Sequence, residues 1–374
     1  MKEEKQTEMI AHKRIVNLDI ERVLAIMCVV LCHSVELIYN MDFKAWTTLS
    51  SKAQIYRTIM FTIGRLGVPI FLLLSGYLLL SRKYENDEDI FKFYKKNLLS
   101  LLITTEIWTV IYNIFFCFYN KSSFNVTDFI KEAIFVKEVP IMNMWYMPMI
   151  IGIYIAIPYV SKVVKSFSIK ALSIPMIAAF IIIFVFPTIN VIIETKQYSK
   201  MRNIIDTSFL GGIYGIYMVL GFFSQSNKLK KFSKKSLTLI MAFTFVCACW
   251  IQIYSLNRFK EYNIWYDSPF LLLCSTCLFE LIMRIDTTRI SEKIRNMFTY
   301  ISKISFAIFF MHSIVELVLK DYIKLIPIAN CLKLLILFVG SFSICVLMTW
   351  ILNKIKIIRK ILFFKSNRGG SYEI

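Results

Sequence analysis

An arginine and a histidine lie in the first apolar segment of the chain, Arg22 at its start and His33 deep within it. Their interval of eleven residues is close to three helical turns, so both side chains emerge on one face, about 16 Å apart along the axis. Glu36 follows His33 by three positions, within reach to orient a ring N–H. Neutral imidazole suits base catalysis near neutral pH, so the pattern indicates a candidate base at His33.

Structural roles are the alternatives for these residues. An arginine at the inner end of a membrane span often extends its guanidinium to lipid phosphates. A buried histidine can simply bond a neighbouring helix. Ionisable groups near the centre of a bilayer are costly unless they face a partner or a cavity, so each is also a functional hypothesis.

Three further ionisable residues within apolar segments are candidates, and Glu280 and Glu316, which lie nearer span ends, rank below them. His312 is about as far from the predicted cytoplasmic end of its segment as His33, so we expect the two histidines at similar depth. Arg65 is permanently charged and needs acceptors, with anchoring at the outer interface as its structural alternative. Glu106 is an isolated carboxylate that we expect to pair with Arg65 or a lysine, or to hold a base in place.

Trp145 and Tyr146 begin the fourth apolar segment on its predicted outer side. Aromatic side chains at this level are typically interface anchors. Stacking on a sugar ring is the alternative that would make them part of a binding site.

Composition places these residues in a membrane protein. The chain of 374 residues is 57% hydrophobic, above the roughly 45–50% of soluble domains. Apolar runs long enough to cross a bilayer core of roughly 30 Å recur along its length. We predict an all-α, polytopic membrane protein with about ten transmembrane helices, at residues 20–38, 59–80, 98–119, 141–160, 171–193, 207–223, 237–254, 268–285, 300–319 and 331–352.

The net charge of +19 is unevenly distributed. When the N-terminal segment and every second connection are assigned to the inner side, they hold about twice as many Lys and Arg as the outer connections. This distribution predicts that both termini are cytoplasmic, and we expect no nucleic-acid partner. Clusters such as KLKKFSKK, at 228–235, are typical of contact with anionic lipids at the inner leaflet.

A single membrane domain accounts for most of the chain. We predict a cytoplasmic N-terminal segment over residues 1–18, a transmembrane domain over 19–352 and a basic cytoplasmic tail over 353–374. We expect no cleavable signal peptide before the first apolar run. Cys274 and Cys277 form a C-x-x-C pair, for which a metal or redox site is one interpretation. Because no His or further Cys accompanies them, we favour small apolar residues at helix contacts and expect no metal.

Four motifs, in this order, resemble the signature of the integral-membrane acyltransferases called acyltransferase family 3. NLDIERVLAIMCVVLCHS (17–34) has the family's Arg-x10-His spacing at Arg22 and His33. RLGVPIFLLLSGYLL (65–79) is similar to its second-helix motif, an arginine followed by a Gly-Val-Pro-Phe run and Ser-Gly. MWYMPMIIGIYIAIPYV (144–160) and ISKISFAIFFMHSIVE (301–316) resemble its Trp-Phe/Tyr segment and its late-helix histidine motif. The resemblance extends from residue 15 to about 350.

The resemblance implies a ten-helix enzyme that takes an acyl group, usually acetyl, from cytoplasmic acetyl-CoA as a co-substrate. The acceptor would be a hydroxyl of a cell-surface glycan, of peptidoglycan or of a lipid-linked sugar. We expect a multi-pass protein of a bacterial cell membrane that works beside other proteins of envelope biosynthesis. The alternatives are a transporter or flippase of a sugar, glycan or amino acid, and the membrane half of a split system.

The candidate residues fall into two groups under this interpretation. Arg22 would face the CoA phosphates or support the catalytic histidine, and Arg65 would line the site. We expect catalytic roles for His33, Arg22, Arg65, Glu36 and Glu106. We expect substrate contacts from Trp145, Tyr146, His312 and Ser75. The chain departs from the family pattern at Phe306 and Phe309, where Tyr is usual, which weakens any hydrogen-bonding role there.

Overall fold

The computed structural model describes residues 14–193, 212–258 and 262–355, and every regular element within them is helical. The all-α prediction is therefore confirmed. The α-helices of the described residues are α1 (Val16–Tyr39), α2 (Phe43–Thr47), α3 (Ser51–Arg65), α4 (Gly67–Leu79), α5 (Asp87–Phe93), α6 (Leu99–Tyr119), α7 (Val126–Ala133), α8 (Tyr146–Ser166), α9 (Ile169–Ala179), α10 (Phe186–Ile193), α11 (Gly212–Gln225), α12 (Lys234–Asn257), α13 (Pro269–Met283), α14 (Glu292–Lys324) and α15 (Asn330–Leu352). Single π-helical turns, Tyr94–Leu98 and Phe180–Val185, join α5 to α6 and α9 to α10.

Within the described residues, eight helical segments are long and apolar enough to cross a membrane, which makes the chain a multi-pass membrane protein. They are Val16–Tyr39, Ser51–Leu79, Asp87–Tyr119, Tyr146–Ser166, Ile169–Ile193, Lys234–Asn257, Glu292–Lys324 and Asn330–Leu352. The other two predicted spans correspond to shorter helices, α11 with 14 residues and α13 with 15. Residues 207–211, where one of these spans was expected to begin, lie outside the described part. The total of ten and the cytoplasmic termini stay predictions.

Three segments form the centre of the bundle. In their most apolar stretches, α1 buries 67% of its residues, the α3–α4 segment 78% and α14 67%. The corresponding share is 22% for the α9–α10 segment and 28% for α12 and for α15. Peripheral helices leave apolar side chains outside for lipid, whereas the central ones pack against protein. The central segments carry both deep histidines and Arg65.

A glycine brings α3 close to α1. A Cβ on Gly64 would lie 2.6 Å from the Cα of Cys32. No real side chain tolerates that separation, so any larger residue would push the two helices apart. α3 ends at the next residue, Arg65. The close approach therefore holds Arg65 against the stretch of α1 that carries His33.

Residues 262–268, the part of the α12–α13 connection that the structure describes next to α13, pack onto the bundle. Asn263 donates to the backbone carbonyl of Met41 at 3.0 Å. The Tyr217 hydroxyl donates to the carbonyl of Tyr266 at 2.9 Å. These bonds to two other elements fix the position of Trp265 and Tyr266 beside the end of α3.

Little of the predicted terminal segments belongs to the described part, which includes residues 14–18 and 353–355 of them. Asn17 joins α1 to the end of α13 through bonds to the carbonyls of Ile282 and Ile285, at 2.8 and 3.0 Å. The proposed division at residues 18 and 352 stays a prediction.

Candidate functional site

His33 is paired with a carboxylate through one ring nitrogen. Its Nδ1 lies 2.7 Å from Oε2 of Glu36, one turn later on α1. Since an ionised carboxylate can only accept, Nδ1 carries the hydrogen and Nε2 is the basic nitrogen. No bond from the described residues to Nε2 is formed, and the side chain lines a pocket. This geometry suits a base whose protonated form is stabilised by Glu36.

Arg65 shares that carboxylate. Its Nη2 lies 3.3 Å from Oε1 of Glu36, and its Nη1 donates to the Tyr266 hydroxyl at 3.2 Å. The guanidinium carbon lies 4.4 Å from the ring centroid of Trp265 and 4.7 Å from that of Phe61. Arg65 is therefore held by one carboxylate and several aromatic rings, a combination that stabilises a buried cation.

His312 stacks on His33 from α14. The two ring centroids lie 5.4 Å apart with an angle of 29° between the planes, as expected from their predicted depths. His312 is fully buried, and its Nδ1 lies 3.1 Å from the carbonyl oxygen of Ile308 on its own helix. Its Nε2 lies 3.3 Å from the hydroxyl of Ser313. These partners are neutral, so the described residues offer His312 no carboxylate bond that would stabilise a protonated ring.

A buried amide network surrounds His312. Ser313 donates to Oδ1 of Asn143 at 2.9 Å. Asn143 donates in turn to the carbonyl of Phe309 at 2.9 Å and to the Tyr112 hydroxyl at 3.2 Å. Sequence reasoning missed Asn143, because a single polar residue before an apolar segment carries no signal of its long-range partners. It ties the start of the fourth predicted span to α6 and α14.

A second carboxyl lies near the histidines. Glu316, one turn after His312, accepts from the Ser34 hydroxyl at 2.5 Å and is fully buried. Its other oxygen has no partner among the described residues. Sequence reasoning ranked Glu316 below Glu106 because it lies nearer the end of its span.

These groups meet at one pocket. It is lined by Val29, Cys32, His33, Gly64, Arg65, Val68, Asn143, Trp145, Tyr146, Tyr266 and Phe309. Four of the predicted site residues are among them: His33, Arg65, Trp145 and Tyr146. Glu36 joins the pocket through its bonds to Cys32, His33 and Arg65, and His312 through its ring contact with His33.

Trp145 contacts other aromatic residues of the pocket wall. Its ring centroid lies 5.5 Å from that of Tyr266, nearly parallel at 27°, and 5.4 Å from that of Trp265. Trp265 and Tyr266 were missed by sequence reasoning. The segment NIWYDSP (263–269), two aromatics before a proline that opens α13, was the available signal.

The remaining predicted site residues, Arg22, Ser75 and Glu106, are not among those that line the pocket. Arg22 is partly buried on the same helix as His33, and its charge and that of Arg82 both act on the Tyr154 hydroxyl. The Ser75 hydroxyl donates to the carbonyl of Phe71 on its own helix.

Glu106 does not form the expected contact with Arg65. It is partly buried on α6, and no hydrogen bond or ion pair joins it to the part of the chain that the structure describes. Arg65 pairs with Glu36 instead, because the close approach at Gly64 brings α3 to α1 rather than to α6.

The described residues contain no group of three or more His, Cys, Asp or Glu side chains arranged to hold a metal ion. Cys274 and Cys277 are buried free thiols on α13. The chemical groups that the described residues bring to the pocket are an imidazole, a carboxylate, a guanidinium and aromatic side chains.

Comparison with known proteins gives the class of reaction. The family model of acyltransferase family 3, described as an acyltransferase domain, matches residues 15–350. No curated protein and no solved structure matches the chain. The family match covers nearly the whole chain and includes every helix that contributes to the pocket. The chain therefore belongs to acyltransferase family 3 and is a membrane acyltransferase.

Proposed function

We propose that this acyltransferase moves an acetyl group from cytoplasmic acetyl-CoA to a hydroxyl of an envelope glycan, of peptidoglycan or of a lipid-linked sugar in a bacterial cell membrane. Family membership supports acyl transfer. The observation that carries the proposal is the His33 ring, with Nδ1 on Glu36 and Nε2 beside the pocket.

His33 acts as the general base. The bond to Glu36 keeps Nε2 unprotonated and stabilises the imidazolium that forms when Nε2 takes the proton of the acceptor hydroxyl. The hydroxyl oxygen attacks the thioester carbon, and the imidazolium returns its proton to the departing CoA thiolate. An acyl-histidine formed on Nε2 would use the same side chains. A single-turnover reaction with labelled acetyl-CoA and no acceptor distinguishes that route from direct transfer. Label bound to the protein indicates the acyl-histidine.

The donor enters from the cytoplasmic side. Arg22 is displaced about 16 Å along α1 from His33. Arg22 and Arg82 both lie within electrostatic range of the Tyr154 hydroxyl. Two guanidinium groups suit the phosphates of CoA, while the flexible arm of the donor spans the distance to the base. The basic clusters of the inner loops hold this end against anionic lipids.

The acceptor enters from the opposite side. Trp145 and Tyr146 offer aromatic faces and a hydroxyl to a sugar ring. His312 supports His33 by ring contact. Proteins of envelope biosynthesis supply the acceptor.

The test compares substitutions of His33 and His12 in membranes supplied with radiolabelled acetyl-CoA. His33→Ala should abolish acetyl incorporation into the envelope fraction without changing the abundance of the protein. His12→Ala, in the polar head, is the matched control and should retain incorporation. Unchanged acetylation in His33→Ala membranes would overturn the proposal. Sugar or amino-acid flux in vesicles without acetyl-CoA would favour a transporter.

A further inference from the structure

Arg65 has a hydrogen-bond donor that the described residues leave unused. The residue is 6% exposed, and its two terminal nitrogens are bonded to Glu36 and Tyr266. Its Nε is buried and has no partner among the described residues. An unbonded buried donor is destabilising, and more so when it belongs to a charged group. Because Arg65 lines the pocket, an acceptor that arrives with the substrate can satisfy this donor.

The surroundings of Arg65 favour an anionic acceptor. Rings of Phe61, Trp265 and Tyr266 lie within 5.5 Å of the guanidinium carbon and keep water away from it. Its one carboxylate partner, Glu36, is shared with His33. Once His33 takes a proton, two cations share a single carboxylate, so the site has a net positive charge. That charge is present only at the moment when the reacting oxygen becomes negative.

We propose that the Nε–H of Arg65 donates to the carbonyl oxygen of the acyl group and stabilises the oxyanion of the tetrahedral intermediate. The inference rests on the proposed acyl transfer and assigns a catalytic role within it. As the acceptor oxygen bonds to the carbonyl carbon, the π pair of the C=O bond moves to oxygen beside Arg65. Collapse restores the C=O bond, breaks the C–S bond and releases the CoA thiolate, which takes the proton held by His33.

The aromatic rings are positioning residues in this account. Trp265 and Tyr266 reach Arg65 from the fixed α12–α13 connection, and Phe61 reaches it from one turn earlier on α3. A fixed donor in a water-poor site stabilises a developing oxyanion more than the same donor in water, because no solvent has to reorganise.

A double-mutant cycle separates this role from a simple ion pair with Glu36. Arg65→Lys keeps a cation that can pair with Glu36 but has no Nε–H. If Arg65 acts directly on the oxyanion, the substitution should lower kcat by about 10²–10³-fold, as for loss of one oxyanion donor, with little change in the KM for acetyl-CoA. It should lower kcat by a similar factor when Glu36 is already replaced in Glu36→Gln.

The other outcomes of the double-mutant cycle overturn either this inference or the proposed function. If Arg65→Lys has no further effect in the Glu36→Gln background, Arg65 acts only through that carboxylate and the inference is wrong. A rise in KM with unchanged kcat also overturns it, since the arginine then only binds the donor. Absence of transfer by the wild-type protein would instead refute the proposed function. If Arg65→Lys does not fold, Arg65→Gln replaces it in the same cycle, with the same expected loss in both backgrounds.

Discussion

His33 and His312 lie side by side on neighbouring helices, yet their ring nitrogens have different partners. His33 bonds a carboxylate through Nδ1 and lines the pocket, whereas His312 is fully buried and bonds a backbone carbonyl and a hydroxyl. A carboxylate stabilises an imidazolium, and neutral oxygens do so far less. His33, the candidate base, and His312, the supporting residue, therefore share residue type and depth. Their hydrogen-bond partners distinguish them.

Among substitutions of the residues around the two histidines, Glu36→Gln should lower kcat the most. The amide cannot stabilise an imidazolium and leaves Arg65 without its carboxylate, so we expect kcat to fall by about 10²-fold or more. The measurement is the initial rate of acetyl transfer by purified protein. Glu316→Gln is the matched control, because that carboxyl bonds Ser34 rather than a histidine. We expect it to change kcat by less than about threefold. Equal losses in the two variants would remove the distinction.

A smaller effect should follow from Asn143→Ala. The substitution removes the bonds that Asn143 forms with Ser313 and with the Phe309 carbonyl, so we expect a loss of about 1–3 kcal/mol in the free energy of unfolding. Since His312 supports His33 only by contact, kcat should fall no more than about tenfold. Thermal unfolding in detergent and initial rates provide the two measurements. A loss of activity as large as that of a His33 variant, in a protein that remains folded, would make the amide network part of the chemistry.

The smallest effect should come from Glu106→Gln. Glu106 has no bond to a described residue and does not line the pocket, so we expect kcat and KM to change by less than about twofold. The same transfer assay measures it. A tenfold loss would show that the carboxylate contacts substrate and would restore the catalytic role that the sequence first suggested.

Local periodicity was enough to predict the helices and the contact on α1. Apolar runs predict spans because a lipid environment allows few alternatives to helices, and the three-residue interval between His33 and Glu36 fixes which side chains meet. The similar depth of His33 and His312 followed from counting turns in two parallel helices. Each of these predictions depends only on distances measured along individual helices.

Contacts between distant segments could not be predicted in the same way. Arg65 pairs with Glu36 rather than Glu106 because Gly64 lets α3 approach α1, and no local pattern ranks that approach above others. Tyr266 reaches the pocket, and Trp265 reaches Arg65, because bonds to Tyr217 and Met41 fix their segment. From its position in the sequence alone, such a segment is predicted to be a loop, and its contacts with the pocket are not predicted.

The most direct test of the central claim is the kcat of His33→Asn and His312→Asn, measured side by side in proteoliposomes with saturating acetyl-CoA. Asparagine preserves a polar side chain at each position but cannot serve as a base. We predict a loss of about 10³-fold or more for His33→Asn and retention of roughly a tenth of the activity or more for His312→Asn. Equal losses, or an active His33→Asn protein, would contradict the assignment of His33 as the base.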